Sequence, residues 1–144
     1  MRSLFLALFL SVEQGTLRIM IIELQREHRD HDFLPDDIGN VPPLYATEDI
    51  SEGEKQVFLH YYIPNSMTAF DWWIVEYNPE ENLAFGYACL NGDTQNAEWG
   101  YISLEELENV RISRTIPPLV VVRDVDFVPK PWHEVLASWQ RSQQ

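Results

Sequence analysis

Asn91, Asp93, Gln95, Asn96 and Glu98 place five oxygen-bearing side chains within eight residues, a density of oxygen donors that suits a hard cation such as calcium or magnesium. The EF-hand order is missing, because no third acidic ligand stands at the required distance. Asp93 and Glu98 are therefore candidate ligands only, and no metal site is assigned. Asn91-Gly92 is also the favoured dipeptide of a type I′ hairpin, and Asp or Asn side chains in loops cap their own backbone amides. That turn chemistry is the reading we expect. As a catalytic pair, Asp93 and Glu98 would need environments that separate their pKa values, and nothing in the spacing provides them. His60, with Tyr45 or Tyr101 nearby, is the other candidate base. No G-x-S-x-G elbow, Walker loop, H-E-x-x-H or Cys/His pattern is present. Cys89 falls in an apolar run and reads as a small buried hydrophobe rather than a nucleophile. His28 and His31 lack the further partners a metal needs.

A second chemistry is carried by rings. Trp72, Trp73, Tyr87, Trp99 and Tyr101 alternate along stretches that read as neighbouring strands, so some of them emerge on the face opposite a core. Exposed Trp and Tyr flanked by acid make a protein-binding patch. The rings could also stack bases, but the missing cations count against that. The competing reading packs both faces of the sheet under helices. The candidate binding residues are Tyr45, Trp72, Trp73, Asn91, Asp93, Asn96, Glu98, Trp99 and Tyr101.

The elements that position these residues follow from period and punctuation. Val57, Leu59, Tyr61 and Ile63 alternate within one expected strand, residues 55–63. Asp71 to Tyr77 is a second, with Trp72, Ile74 and Glu76 on one face and Trp73, Val75 and Tyr77 on the other. A turn at 78–82 leads to a third strand over 83–90, and Glu98 to Ile102 is the fourth. Gly86 and Gly100 mark places where a ring or another backbone comes close. Ser103-Leu104-Glu105-Glu106 fits a capping box, so a short helix to Asn109 follows. Leu119 to Val122 reads as a strand covered on both faces. Pro131 opens a helix whose Trp132, Val135, Leu136 and Trp139 are spaced to dock on the sheet. Upstream, Leu17, Met20, Ile21 and Leu24 have the spacing of an amphipathic helix, although Ile19 and Ile22 suit a strand. Pro42 to Ile50 reads as extended, with Thr47 or Ser51 starting a short turn.

Charge bounds the partners. The chain carries −13 formally, and from Gln56 to Val110 there is no Lys or Arg, while Asp71, Glu76, Glu80, Glu81, Asp93, Glu98, Glu105, Glu106 and Glu108 all fall there. Phosphate backbones are bound by Lys and Arg, so direct nucleic-acid binding by this block is disfavoured. Basic partners or simple solubility fit it better. One cysteine permits no intramolecular disulfide, and the compartment expected is cytoplasmic. The apolar run Leu4 to Leu10 is too short to span a bilayer and lacks a cleavage pattern. Residues 1–19 are read as an extension, either a misassigned start or a weak signal, and 20–144 as one globular α+β domain. We expect a mostly antiparallel sheet of about five strands, with short helices near the N-terminus, after strand four and at the C-terminus.

PPLYATED at 42–49, WWIVEYNPE at 72–80, FGYACLNGDTQNAEWGYISLEEL at 85–107 and VVRDVDFVPKP at 121–131 resemble the bacterial "domain of unknown function 2958" family, over roughly Val41 to Pro131. The resemblance implies no established activity, cofactor or catalytic residue. It does imply an association with plasmids and other mobile elements, near transfer and antirestriction genes. The expectation is thus a non-enzymatic module that binds a protein partner, without a cofactor and without a membrane. A sharper form has Glu76, Glu80, Glu81, Glu105, Glu106 and Glu108 imitate phosphate charge and occupy a basic nucleic-acid-binding protein. The alternative is a small metal-dependent enzyme centred on Asn91–Glu98.

Overall fold

Six consecutive buried residues, Trp72 to Tyr77, mark the central strand of the molecule. The computed structural model describes residues 9–13, 16–20 and 22–144. In chain order the elements are β1 (Phe9–Glu13), β2 (Thr16–Met20), β3 (Gln56–Val57), β4 (Leu59–Tyr62), β5 (Asp71–Asn78), β6 (Leu83–Cys89), β7 (Glu98–Ser103), α1 (Leu104–Asn109), β8 (Arg111–Ile112), β9 (Leu119–Val120), β10 (Val122–Arg123), β11 (Lys130–Pro131) and α2 (Trp132–Ser142). Single 3-10 turns occur at Arg26–His28, Ile38–Asn40 and Glu52–Glu54. The main sheet is five-stranded and antiparallel, in the order β10-β4-β5-β6-β7. With its few short helices the fold is α+β. Among the described residues no helix is long and apolar enough to cross a membrane.

Each face of the sheet has its own core. On one, Leu59, Tyr61, Trp72, Ile74, Ala84 and Ile102 meet Phe33, Leu34, Ile38 and Val41 from the upstream segment, with Leu104 and Leu107 from α1. On the other, Val57, Trp73, Val75 and Cys89 meet Trp132 and Val135 of α2. The tryptophans of α2 dock as their helical spacing predicts. Trp73 lies 5.4 Å from Trp132 and 5.0 Å from Trp139, both edge to face, the arrangement that ring quadrupoles favour.

Several expectations are corrected. The spacing from Leu17 does not become a helix: Thr16–Met20 pairs with Phe9–Glu13 as an antiparallel hairpin, in line with the β-branched residues there. The run 55–63 is two strands rather than one, with β3 pairing to β11 and β4 to β5. Residues 119–122 likewise divide between β8 and β4 as partners, because the chain crosses from one small sheet to the main one at buried Val121. Residues 43–50 form successive turns, closed by Ala46 N–H to Pro43, Glu48 N–H to Tyr45 and Ile50 N–H to Thr47, rather than an extended run. The start of the expected extension, residues 1–8, lies outside the described residues.

The strict alternation expected in β5 also fails, with consequences for the site. The pairing with β6 slips between Ile74 and Glu76, so that Ile74 faces Gly86 and Glu76 faces Phe85, leaving Val75 as an extra residue. Such a bulge turns the following side chains to opposite faces. Tyr77 therefore joins the first core, and Glu76 comes to share a face with Phe85. Gly86 is required beside the bulge, since a Cβ there would stand 1.9 Å from the Trp73 carbonyl oxygen. The close neighbour is backbone, not a ring. Gly100 differs, because a Cβ on it would meet nothing within 4 Å.

Candidate functional site

On the face that α2 covers, the coverage stops short of the corner made by the end of β5, the start of β6 and the end of β7. The turns of residues 43–54 wall that corner instead. The result is a cleft of about 410 Å³ lined by Tyr45, Glu48, Glu52, Lys55, Glu76, Phe85, Trp99 and Tyr101.

Its rings are set by strand register. Phe85 faces Tyr101 and Tyr87 faces Trp99 across the β6–β7 pair, so all four lie on one face. Phe85 stacks on Trp99 at 6.0 Å and meets Tyr101 edge-on at 5.5 Å. The Trp99 indole N–H donates to the Glu52 carboxylate, and the Tyr101 hydroxyl donates to the Tyr45 hydroxyl at 2.9 Å. That hydrogen bond, with some help from burial and from Glu76 and Glu48 nearby, pushes the Tyr101 phenol above its ordinary value.

Tyr45 is brought to the cleft at a conformational cost. Its φ is +71°, in the left-handed region that non-glycine residues rarely occupy. Glu76 compensates. Its buried carboxylate accepts the Tyr45 N–H at 2.8 Å, the Thr47 N–H at 3.0 Å and the Thr47 hydroxyl. Lys55 extends the network by donating to the Thr47 carbonyl at 2.5 Å and its hydroxyl at 3.3 Å. The cleft thus holds three carboxylates and one ammonium, and that ammonium is already engaged. A second cavity of about 640 Å³ lies beside it, lined by Pro43, Leu44, Asn78, Pro79, Glu80, Glu81 and Leu83, and shares Tyr45 and Tyr101 as a common wall. Aromatic faces and carboxylates in a partly enclosed space suit a cation, by ring quadrupole and by charge.

Of the residues singled out in the sequence, Tyr45, Trp99 and Tyr101 come together here. Trp72 and Trp73 do not, being 7% and 3% exposed and sitting one in each core. The upstream segment and α2 bury them, as the core-packing reading has it. Glu98 is exposed on the face of β7 away from Trp99 and Tyr101. Asn91, Asp93 and Asn96 remain in the β6–β7 hairpin loop. Asn91 and Gly92 have φ of +55° and +68°, and the Asp93 N–H bonds the Leu90 carbonyl at 3.0 Å, as a type I′ turn requires. The Asp93 carboxylate accepts from Asn96 through both its side-chain amide at 2.6 Å and its backbone N–H, which holds the acid below its usual range. Thr68 donates to Asn91. The loop's Asn91 and Asp93 side chains are thus engaged, by Thr68 and by Asn96.

His60 stands apart from that loop in a different constellation. It bonds Asp71 at 2.7 Å and approaches Asp124 at 3.5 Å, stacked between Trp73 and Tyr62. Cys89 is buried, and burial with Asp71 and Asp93 nearby raises its thiol, the opposite of nucleophile activation. Among the described residues no group of three or more His, Cys, Asp or Glu is placed to hold a metal ion.

Phe85, Glu48, Glu52, Lys55 and Glu76 are the cleft residues that sequence reasoning did not bring together. By sequence alone Glu76 and Glu108 both read as surface charge. Both are buried, at 4% and 2% exposure. Glu76 folds the 43–48 turns, and Glu108 pairs with Arg29 at 2.5 Å while accepting the Leu24 and Gln25 N–H groups.

Residues 55–143 match the family model described as "Protein of unknown function (DUF2958)". The match starts and ends later than the 41–131 over which the quoted motifs lie. No match was found among curated proteins or among solved structures.

Proposed function

Since the chain belongs to the DUF2958 family of proteins of unknown function, a membership that brings no activity with it, we propose from its own surface that it is a non-catalytic protein-binding module. Its aromatic and acidic cleft receives cationic side chains of a basic partner. The observation that carries this reading is the cleft itself: four rings, Tyr45, Phe85, Trp99 and Tyr101, with Glu48, Glu52 and Glu76 around the same space. Nucleic-acid-binding proteins display Lys and Arg in this way, so they are the partner class that the charge selects, and an association with mobile elements is compatible with it. Mimicry of a phosphate row is a weaker form of the same idea. Two of its six acids, Glu76 and Glu108, are buried and bonded, which leaves Glu80, Glu81, Glu105 and Glu106. The metal-dependent alternative at Asn91–Glu98 has less support, because the Asp93 carboxylate is taken up by Asn96 within the loop and the Asn91 side-chain oxygen by the Thr68 hydroxyl.

The test is a titration with an acetylated, amidated alternating Arg-Val peptide of about seven residues, a strand's length, read by the Trp99 indole N–H resonance. We expect a saturable shift that weakens with salt and falls about tenfold in affinity when exposed Glu48 and Glu52 are both changed to Gln. An equal response to a Glu-Val peptide, or indifference to E48Q/E52Q, would overturn the reading.

A further inference from the structure

Beside the cleft runs a sheet edge. Strand β7 is the terminal strand of the five-stranded sheet, paired with β6 from Ser103 to Glu98 without a slip. On its other side no strand is paired among the described residues. An edge of this kind presents alternate N–H and C=O groups outward, and folded proteins usually blunt it with Lys, Pro or a bulge. None of these occurs in Glu98–Ser103. Trp99 and Tyr101 project from the edge into the cleft, two residues apart and therefore about 7 Å along the strand. Gly100 between them leaves open space on the opposite face.

We propose that the partner docks as an extended, Arg- or Lys-bearing segment added along β7, its basic side chains alternating over the cleft of Tyr45, Phe85, Trp99 and Tyr101. The inference rests on the reading of the cleft given above and specifies how the partner enters it. Main-chain pairing along an edge supplies affinity, and pockets for every second side chain supply selectivity. A cation over the ring faces, with Glu48 and Glu52 alongside, is what those pockets fit. Charge also decides against a second copy of this chain as the occupant. Residues 56–110 contain no Lys or Arg and the cleft's Lys55 is already bonded to Thr47, so a second β7 edge would bring another acidic cleft and no cation for these rings.

The experiment uses the full chain and the same Arg-Val peptide, together with two versions N-methylated on alternate residues, one on the odd set and one on the even. In a strand only every second amide faces the partner edge. One methylated peptide should therefore bind about tenfold more weakly or worse, the other within about twofold of the parent. Alternate amides of Glu98–Ser103 should slow in hydrogen exchange when the parent peptide is bound. If both methylated peptides bind like the parent while the Trp99 resonance still shifts, the cleft takes basic side chains without strand addition, and this proposal fails while the functional reading stands. If both lose binding equally, strand addition on one edge is likewise overturned. If the parent peptide leaves Trp99 unmoved, both fail together.

Discussion

Glu76 is a carboxylate with almost no contact with solvent, facing three donors from a turn thirty residues upstream in the chain. Changing it to Ala would leave the Tyr45 and Thr47 N–H groups without their acceptor and release a backbone held at φ +71°. Each orphaned buried donor costs roughly 1–3 kcal/mol. Glu76→Ala is therefore expected to lower stability by about 2–4 kcal/mol in urea unfolding and to weaken Arg-Val peptide binding, since Tyr45 leaves Tyr101. Unchanged binding in a folded Glu76→Ala protein would show that the turn does not depend on this carboxylate. At this scale the sequence was partly legible. Tyr45, Trp99 and Tyr101 stand out by type, and Asn91-Gly92 declares its turn. Glu76 does not, because a Glu in a strand reads as surface unless the bulge that redirects it is known.

The bulge belongs to the scale of elements, where periodicity explains both the successes and the errors. Strands β6 and β7, helix α1 with its Ser103 cap accepting the Glu106 N–H, and the tryptophan face of α2 were all legible, because each keeps one period from end to end, and β5 was legible as far as its bulge at Val75. The breaks were not. At Phe58 and Val121 the chain passes between sheets without Gly, Pro or polar residues to announce it, since both positions remain packed against or within the first core. The bulge left one trace, Gly86. The two strand glycines should consequently behave in opposite ways. Gly86→Ala puts a methyl against the Trp73 carbonyl and must either separate β5 from β6 or undo the bulge, for an expected loss of about 3 kcal/mol or more. Gly100→Ala meets open space and should change stability by no more than about 1 kcal/mol, in the stabilising direction if Gly in a strand weakens it. Chemical denaturation of the two variants side by side checks this, and equal effects would mean that strand propensity, not close approach, selects glycine at 86.

For the molecule as a whole, the matched region from Lys55 onward shares a core with the segment before it. Phe33, Leu34, Ile38 and Val41 complete one core, and residues 43–54 wall the cleft. What fastens this upstream segment is a buried ion network. The Arg29 guanidinium, with its side chain fully buried, donates to the Glu108 carboxylate at 2.5 Å, to the Glu108 carbonyl at 3.0 Å, to Val121 at 2.7 Å and to Glu23 at 3.3 Å. Glu108 in turn accepts from Leu24 and Gln25. Removing one member of a buried pair costs about 3–5 kcal/mol, because its partner is left charged in a medium that solvates it poorly. Arg26, three residues earlier, makes a comparable number of contacts on paper, to Glu23, Asp32 and the Arg29 carbonyl, but its side chain is 43% exposed, where water and salt replace most of what is lost. Arg29→Ala should thus cost several times what Arg26→Ala does, about 1 kcal/mol or less for the latter. It should also speed hydrogen exchange at residues 24–41 before the central sheet opens. Equal losses, or exchange that rises uniformly over the sheet, would place the fastening of this segment in its apolar contacts instead, and the cleft wall would then depend on Phe33 and Leu34 rather than on charge.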